Sequence, residues 1–265
     1  MPAVAPLVAE FAAFAQRLAD LAAAVVRRYY RAPVAVESKL DASPVTIADR
    51  EAERAMRDLI QARYPDHGIE GEEFGSEGEG AEFVWHLDPI DGTKSFITGR
   101  PLFGTLVGLG RAGRPVLGII DQCILRERWV GLAGQGSSWN GTAIRVRPCP
   151  GLELAVLYAT SPLMFAAGAE RAAFERVQRA VRYPLFGGDC YAYGLLAMGF
   201  ADLIVEADLD AHDFMALVPV VEGAGGVMTD WQGRPLTAAS DGRVVAAGDP
   251  RVHERALKLL ASTGH

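Results

Sequence analysis

Cysteine is scarce in this chain. Cys123, Cys149 and Cys190 are scattered over 265 residues with no CxxC spacing, which excludes a disulfide framework or a thiolate zinc site and fits reduced thiols in a cytoplasmic protein. Basic charge is short as well: 26 Lys and Arg stand against 33 Asp and Glu, a net charge of −7. Binding to a nucleic-acid backbone rests on the opposite balance, so no nucleic-acid partner is expected. Long hydrophobic runs are missing. No stretch reaches the ~20 apolar residues of a bilayer span, the N-terminus has no basic leader, and Glu10 interrupts its apolar stretch. Neither a membrane partner nor a signal peptide is expected. Internal repeats and low-complexity linkers are also absent.

The residues that are present suit a globular protein. Half are hydrophobic, enough to bury a sizeable core in one large domain or two closely packed halves. In the first half, 1–147, Pro6 to Tyr30 and Asp49 to Tyr64 read as amphipathic helices, the second ended by Pro65. The stretch Gly68 to Gly80, rich in Gly and Glu, reads as a loop, and Phe83 to Leu87 as an apolar strand. Strands at Leu102–Leu109, Val116–Ile120, Arg128–Leu132 and Ala143–Val146 continue an antiparallel meander, with Asn140-Gly141 as a tight turn. A boundary is expected at Pro148 to Gly151. The second half, 148–265, alternates strands (Ala155–Ala159, Leu203–Val205, Val244–Ala247) with helices (Glu170–Ala180, Cys190–Met198, Phe214–Glu222, Pro250–Leu260) and is expected to complete one compact unit. Gly108 to Gly113 matches GxGxxG, but a dinucleotide site needs a helix after it, and Arg114-Pro115 leads into another strand. Those glycines read as a hairpin turn.

The chemistry concentrates in acidic residues. In Trp85-His86-Leu87-Asp88-Pro89-Ile90-Asp91-Gly92-Thr93 an apolar strand runs into two carboxylates. Pro89 keeps Asp88 extended and Gly92 permits the turn that follows, so both carboxylates and the Ile90 carbonyl can converge at the strand end. Hard oxygen donors in that arrangement suit Mg2+. Gly92, Thr93 and Lys94 then start a short helix whose free N–H groups can cradle phosphate. Gly71-Glu72-Glu73, Asp49 and Asp213 are ambiguous singly: solvated loop acids or helix caps are their structural readings.

Taken together, Gly71-Glu72-Glu73, then Asp88-Pro89-Ile90-Asp91-Gly92-Thr93, then Asp213 ahead of Glu222-Gly223-Ala224-Gly225-Gly226 resemble the signature of the inositol monophosphatase family, in order and spacing from Asp49 to Gly226. Within it the stretches Asp88–Leu109, Gly187–Gly194 and Glu206–Leu209 look most like the histidinol-phosphate phosphatases. The resemblance implies an α/β (α+β) layered sandwich, with an antiparallel and a mixed sheet between helix layers, usually a homodimer. It implies two to three Mg2+ per subunit. Glu72, Asp88 and the Ile90 carbonyl would hold one, Asp88, Asp91 and Asp213 a second, and a weaker third would lie near Glu72. Two such ions about 3.5–4 Å apart stabilise the attacking and leaving oxygens of an in-line displacement. A water oriented by Thr93 and supported by Asp49 would attack a phosphate held by Asp91, Gly92 and Thr93, and no residue need become phosphorylated. No GxSxG elbow, CxxxxxR loop or catalytic His pair is evident.

The implied partner is a small phosphorylated metabolite. Gly188, Asp189, Glu206 and Asp213 are candidates for the pocket that takes its alcohol. Inositol-type members usually have small neutral residues where this chain has Asp189, and a set of carboxylates suits an ammonium-bearing substrate such as histidinol phosphate. The bland reading of Asp189 is a cap on the helix at Cys190. Alternatives are an inositol or other sugar monophosphatase, a nucleotide 3′-phosphatase, and a non-catalytic scaffold that keeps the site for binding. His86 and His212 flank the acids and read as packing residues or supports for the ligands.

Overall fold

The computed structural model describes residues 4–33, 35–38, 44–78 and 80–262. The chain opens with α1 (Val4–Tyr29), whose apolar stripe Phe11, Phe14, Leu18, Ala22 and Val26 recurs at helical spacing and is buried. A small antiparallel pair, β1 (Val36–Ser38) and β2 (Pro44–Thr46), leads into α2 (Ile47–Arg63). The first sheet follows, from β3 (Gly68–Gly71), β4 (Gly75–Glu77) and β5 (Phe83–Asp91), then, after α3 (Thr93–Ile97), β6 (Gly104–Arg111), β7 (Arg114–Gln122), β8 (Glu127–Leu132), β9 (Gly136–Trp139) and β10 (Thr142–Ala143). Its order is β10-β9-β8-β7-β6-β5-β3-β4, antiparallel except for the parallel β3–β5 pair.

A 3-10 turn at Leu152–Leu154 precedes the second half: β11 (Val156–Ala159), α4 (Ala169–Ala180), β12 (Tyr183–Phe186), α5 (Asp189–Ala197), β13 (Leu203–Glu206), α6 (Ala211–Phe214), α7 (Leu217–Gly223), β14 (Val227–Thr229), β15 (Val244–Ala247) and α8 (Pro250–Ala261). This mixed sheet has the order β12-β11-β13-β15-β14. The layers run helix, sheet, helix, sheet, helix, as the family resemblance implies. Strand alternation builds them: Val107 and Leu109 join the core under α1 and α2, whereas Leu106 faces α5 and α7. In the second sheet Ile204 faces that same middle layer, while Leu203 and Val205 face α4 and α8.

Several expectations change. The stretch Gly68–Gly80, read as a loop, contributes two strands instead; they are short and polar, and β3 is fixed by pairing with β5 rather than by its own composition. The strand expected at Ala143–Val146 is replaced by the short β9 and β10 around the Asn140-Gly141 turn. The helix expected at Phe214–Glu222 is broken into α6 and α7. The GxGxxG segment is a hairpin turn: Arg111 pairs with Arg114, and Ala112 and Gly113 between them have φ of 49° and 74°.

The middle layer sits unusually close to the first sheet. Gly108, Gly118 and Gly131 lie side by side on β6, β7 and β8, and the backbone of 215–220 rests on them. A Cβ on Gly118 would lie 1.8 Å from the Ala216 carbonyl oxygen, and one on Gly131 2.3 Å from Pro219. This glycine row lets α6 and α7 settle onto the strands that carry the acidic motif. Gly118→Ala is therefore expected to lower stability by about 1–3 kcal/mol or more, because backbone rather than a flexible side chain must move. Chemical denaturation checks this; an unchanged midpoint would refute the close-approach account.

Candidate active site

Three elements deliver the carboxylates. β5 steps out of register with β6 between Asp88, opposite Leu106, and Asp91, opposite Gly104. The extra residue is a bulge of the kind that re-aims side chains at a strand end. Pro89 supplies no N–H there, and its carbonyl accepts a hydrogen bond from the Thr105 hydroxyl at 2.8 Å. Asp88 Oδ1 accepts from the Ile90 N–H at 2.9 Å, and Asp91 accepts from the Cys190 N–H at the start of α5. Asp213 comes from α6, where it completes a capping box by accepting from the Asp210 N–H at 2.7 Å. The cap role is thus real, yet Asp213 also meets the β5 acids: Asp88, Asp91 and Asp213 place carboxylate oxygens within 4.8 Å of one another.

Such a cluster is electrostatically costly. Burial first, then Glu72, Asp91 and Asp213, holds the Asp88 carboxyl well above the usual range. Burial followed by Asp189 and Asp213 does the same to Asp91. Burial pushes Asp213 up to about 6 against the opposing pull of His212. Buried like charges of this kind call for a cation, and an all-oxygen donor set fits Mg2+. Glu72 follows β3, its N–H bonded to the Leu87 carbonyl at 3.2 Å, and its charge bears on both Asp88 and Asp49. Beside the acids, Gly92 adopts the left-handed conformation (φ 88°) as the N-cap of α3, and the Thr93 hydroxyl donates to the Ile90 carbonyl at 3.2 Å.

The chain is similar to known proteins along nearly its whole length. The family model described as the inositol monophosphatase family matches residues 7–265. A "Bifunctional phosphatase IMPL2, chloroplastic" from Arabidopsis thaliana is 51% identical over 94% of this chain and 75% of its own length. A "Histidinol-phosphatase" from Chlorobaculum parvum is 34% identical over 88% and 90%. Among solved structures, an inositol monophosphatase from Zymomonas mobilis superposes with a TM-score of 0.88 at 49% identity, covering 96% of this chain and 98% of that one. The chain belongs to the inositol monophosphatase family. It is accordingly a phosphoric monoester hydrolase of a metal-dependent, generally Mg2+-dependent, family that acts on small phosphorylated substrates. Among the described residues no helix is long and apolar enough to cross a membrane.

The remaining candidates of this phosphatase surround the carboxylate cluster. Asp49 is the N3 residue of the α2 capping box. Its Oδ2 accepts from the Thr46 N–H and hydroxyl at 2.8 and 2.6 Å, while Oδ1 is buried without a hydrogen-bond partner. Burial pushes its carboxyl up to about 6. Asp189 does not cap α5: Gly188 is the N-cap and no side-chain cap bond forms. Asp189 instead has a left-handed φ of 44°, accepts from the Ser95 hydroxyl at 2.8 Å, and lies so close to Gly92 that a Cβ there would sit 2.8 Å from its Oδ2. Glu206 stands behind the pocket wall, buried, with its oxygens engaged by the Thr160 N–H and the Tyr193 hydroxyl, both at 2.7 Å. Burial raises its carboxyl to about 7.

The sequence reading overlooked Ser95, Tyr193 and Thr160, whose types carry no motif of their own. It also did not foresee that Asp210 and His212 form a second potential ligand group with Asp213.

The sign of the pH effect follows from these shifts. The acids of the cluster titrate higher folded than unfolded, so without a cation their contribution to stability is fully present below about pH 4 and is lost as pH rises through each folded value, about 6 for Asp213. In EDTA, the melting temperature of the wild type relative to Asp91→Asn should fall as pH rises above about 4. The scale is roughly 2–4 °C per kcal/mol of relieved repulsion. Added Mg2+ should raise the wild-type value and affect the variant far less. Parallel pH profiles with equal Mg2+ response would remove Asp91 from the ligand set.

Proposed function

We propose that this phosphatase hydrolyses histidinol phosphate to histidinol and phosphate in histidine biosynthesis. The observation that carries this reading is Asp189, a carboxylate released from helix capping and turned toward Gly92 and the phosphate-binding turn. An ammonium-bearing alcohol finds a partner there that a neutral polyol does not need. The likeness to proteins named histidinol-phosphatase supports the same reading. The Zymomonas mobilis structure, named an inositol monophosphatase, favours inositol phosphate as the second reading. A scaffold without activity is disfavoured because every ligand position and Thr93 is occupied by a competent side chain.

In this mechanism Glu72, Asp88, Asp91, Asp213 and the Ile90 carbonyl would hold two to three Mg2+. When bound, these ions would neutralise phosphate charge and lower the pKa of the attacking water. The N–H groups at Gly92 and Thr93 bind the phosphate oxygens. Because the Thr93 hydroxyl hydrogen is committed to the Ile90 carbonyl, its lone pairs remain to accept a hydrogen bond from the attacking water. Asp49, with one oxygen unpartnered, holds the proton that this water gives up as its oxygen bonds phosphorus. The P–O bond to the alcohol breaks, and the departing alkoxide takes a proton from solvent water, which Asp49 then replenishes. Gly188 and Asp189 receive the alcohol, and Glu206 takes part from behind through Tyr193 and Thr160.

The proposed setting is cytoplasmic, supported by three buried and unbridged cysteines. The proposed assembly is a homodimer. Edge strand β12 supports it, with Tyr183, Leu185 and Phe186 all exposed. Sedimentation is expected to give about twice the 28.3 kDa chain mass, and a monomer at micromolar concentration would overturn the dimer.

Specificity supplies the sharper test. Asp189→Ala should lower kcat/KM for histidinol phosphate about ten- to a hundredfold, the worth of a partly desolvated ammonium–carboxylate contact. Inositol 1-phosphate hydrolysis should change little. Equal losses on both substrates would sink the histidinol assignment.

A further inference from the structure

Glu72 is followed by two residues whose fixation comes from a different element. Asp49, Glu53 and Arg57 occupy positions i, i+4 and i+8 on one face of α2. Glu53 is fully buried. Its Oε2 accepts from the Glu73 N–H at 2.8 Å, and its Oε1 accepts from the Phe74 N–H at 3.2 Å and from Arg57 Nε at 2.7 Å. Arg57, almost as buried, donates onward to the Gly75 carbonyl and to Glu77 Oε1, the latter at 3.0 Å. The turn from Gly71 to Gly75 is therefore clamped by an ion pair that belongs to α2. Gly71 is part of the fit, since a Cβ there would lie 2.1 Å from Glu53 Oε1. On its other side the turn is tied to β5 through the Glu72 N–H and the Leu87 carbonyl, one residue before Asp88.

We propose that Glu53 and Arg57 are positioning residues for the metal centre: a buried ion pair on α2 that holds the β3–β4 turn so that Glu72 faces Asp88. This rests on the reading of Glu72 as a metal ligand. The physical case is that buried ion pairs add little net stability over apolar packing of the same volume, so this pair makes better sense as a geometric device. The two backbone donors that follow Glu72, those of Glu73 and Phe74, terminate on one carboxylate, and a carboxylate accepts from two N–H groups where an amide would present a donor to one of them. The same helix face carries Asp49, a buried acid in the first turn of α2. A shift of α2 would thus move Asp49 and Glu72 together.

The test compares Glu53→Gln, the double variant Glu53→Gln with Arg57→Met, and Glu72→Gln. The double variant removes the pair without stranding the Arg57 charge. Mg2+ binding is measured by calorimetry and activity over a range of Mg2+. Both Glu53 variants are expected to bind Mg2+ about 10–100-fold more weakly, the usual effect of losing a residue that orients a ligand. Saturating Mg2+ should restore most of their kcat, whereas Glu72→Gln stays impaired. If Glu72→Gln weakens Mg2+ binding but the folded double variant matches wild type, the positioning role is wrong and the ligand reading stands. If Glu72→Gln binds normally, the ligand reading itself fails. A measurement on the wild type needs no variant to fold. The Glu73 and Phe74 amides, on an exposed turn, should be protected from hydrogen exchange in the metal-free protein; free exchange there overturns the clamp.

Discussion

Three carboxylates with oxygens inside 4.8 Å of one another, two of them from a single bulged strand end, set the terms for everything around them. Burial and mutual repulsion push their protons on rather than off, so the folded protein holds an arrangement that an unfolded chain would relax at once. It can do so only if each carboxylate is fixed by a separate device. Asp88 is tied to the Ile90 N–H, Asp91 to the Cys190 N–H, and Asp213 to the Asp210 N–H. Each tie is a backbone donor, which costs little conformational entropy to aim. A cation bound there would turn the repulsion into binding energy, consistent with the metal dependence of the family.

The two sheets matter because they bring these devices to one place. Asp88 and Asp91 ride on the first sheet, Asp213 on the helix pair that lies between the sheets. The glycine row across β6, β7 and β8 removes the side chains that would hold the middle layer away. Asp189 reaches the site from α5 in that same layer, and its left-handed backbone turns the carboxylate away from its own helix and toward Gly92. Burial raises the Asp189 carboxyl, against the opposing pull of the Ser95 hydroxyl, Arg100 and Lys94.

Much of the site was legible because its motifs are local. Asp88 to Thr93 encodes its own turn: a proline that cannot donate, a glycine that accepts positive φ, and a threonine that closes back on Ile90. The long helices were legible from apolar spacing. The short edge strands were not. β12 contains Pro184 and is exposed at every residue, so it lacks the alternation that marks a half-buried strand. β3 and β4 are glycine- and glutamate-rich and exist because β5 offers a free edge.

The sequence by itself therefore determined the kind of chemistry available: hard oxygen donors beside a glycine turn that opens a short helix. Tertiary structure decided how each acid is held. Asp189 lies against Gly92, while Glu206, equally acidic and equally suggestive in the sequence, is buried with its oxygens engaged by Tyr193 and Thr160. Glu53 looks like any glutamate on a helix face until a turn twenty residues away lays two N–H groups on it. Residue type sets what a side chain can do. Its burial, and the backbone donors that reach it, are long-range outcomes of packing that local spacing does not contain.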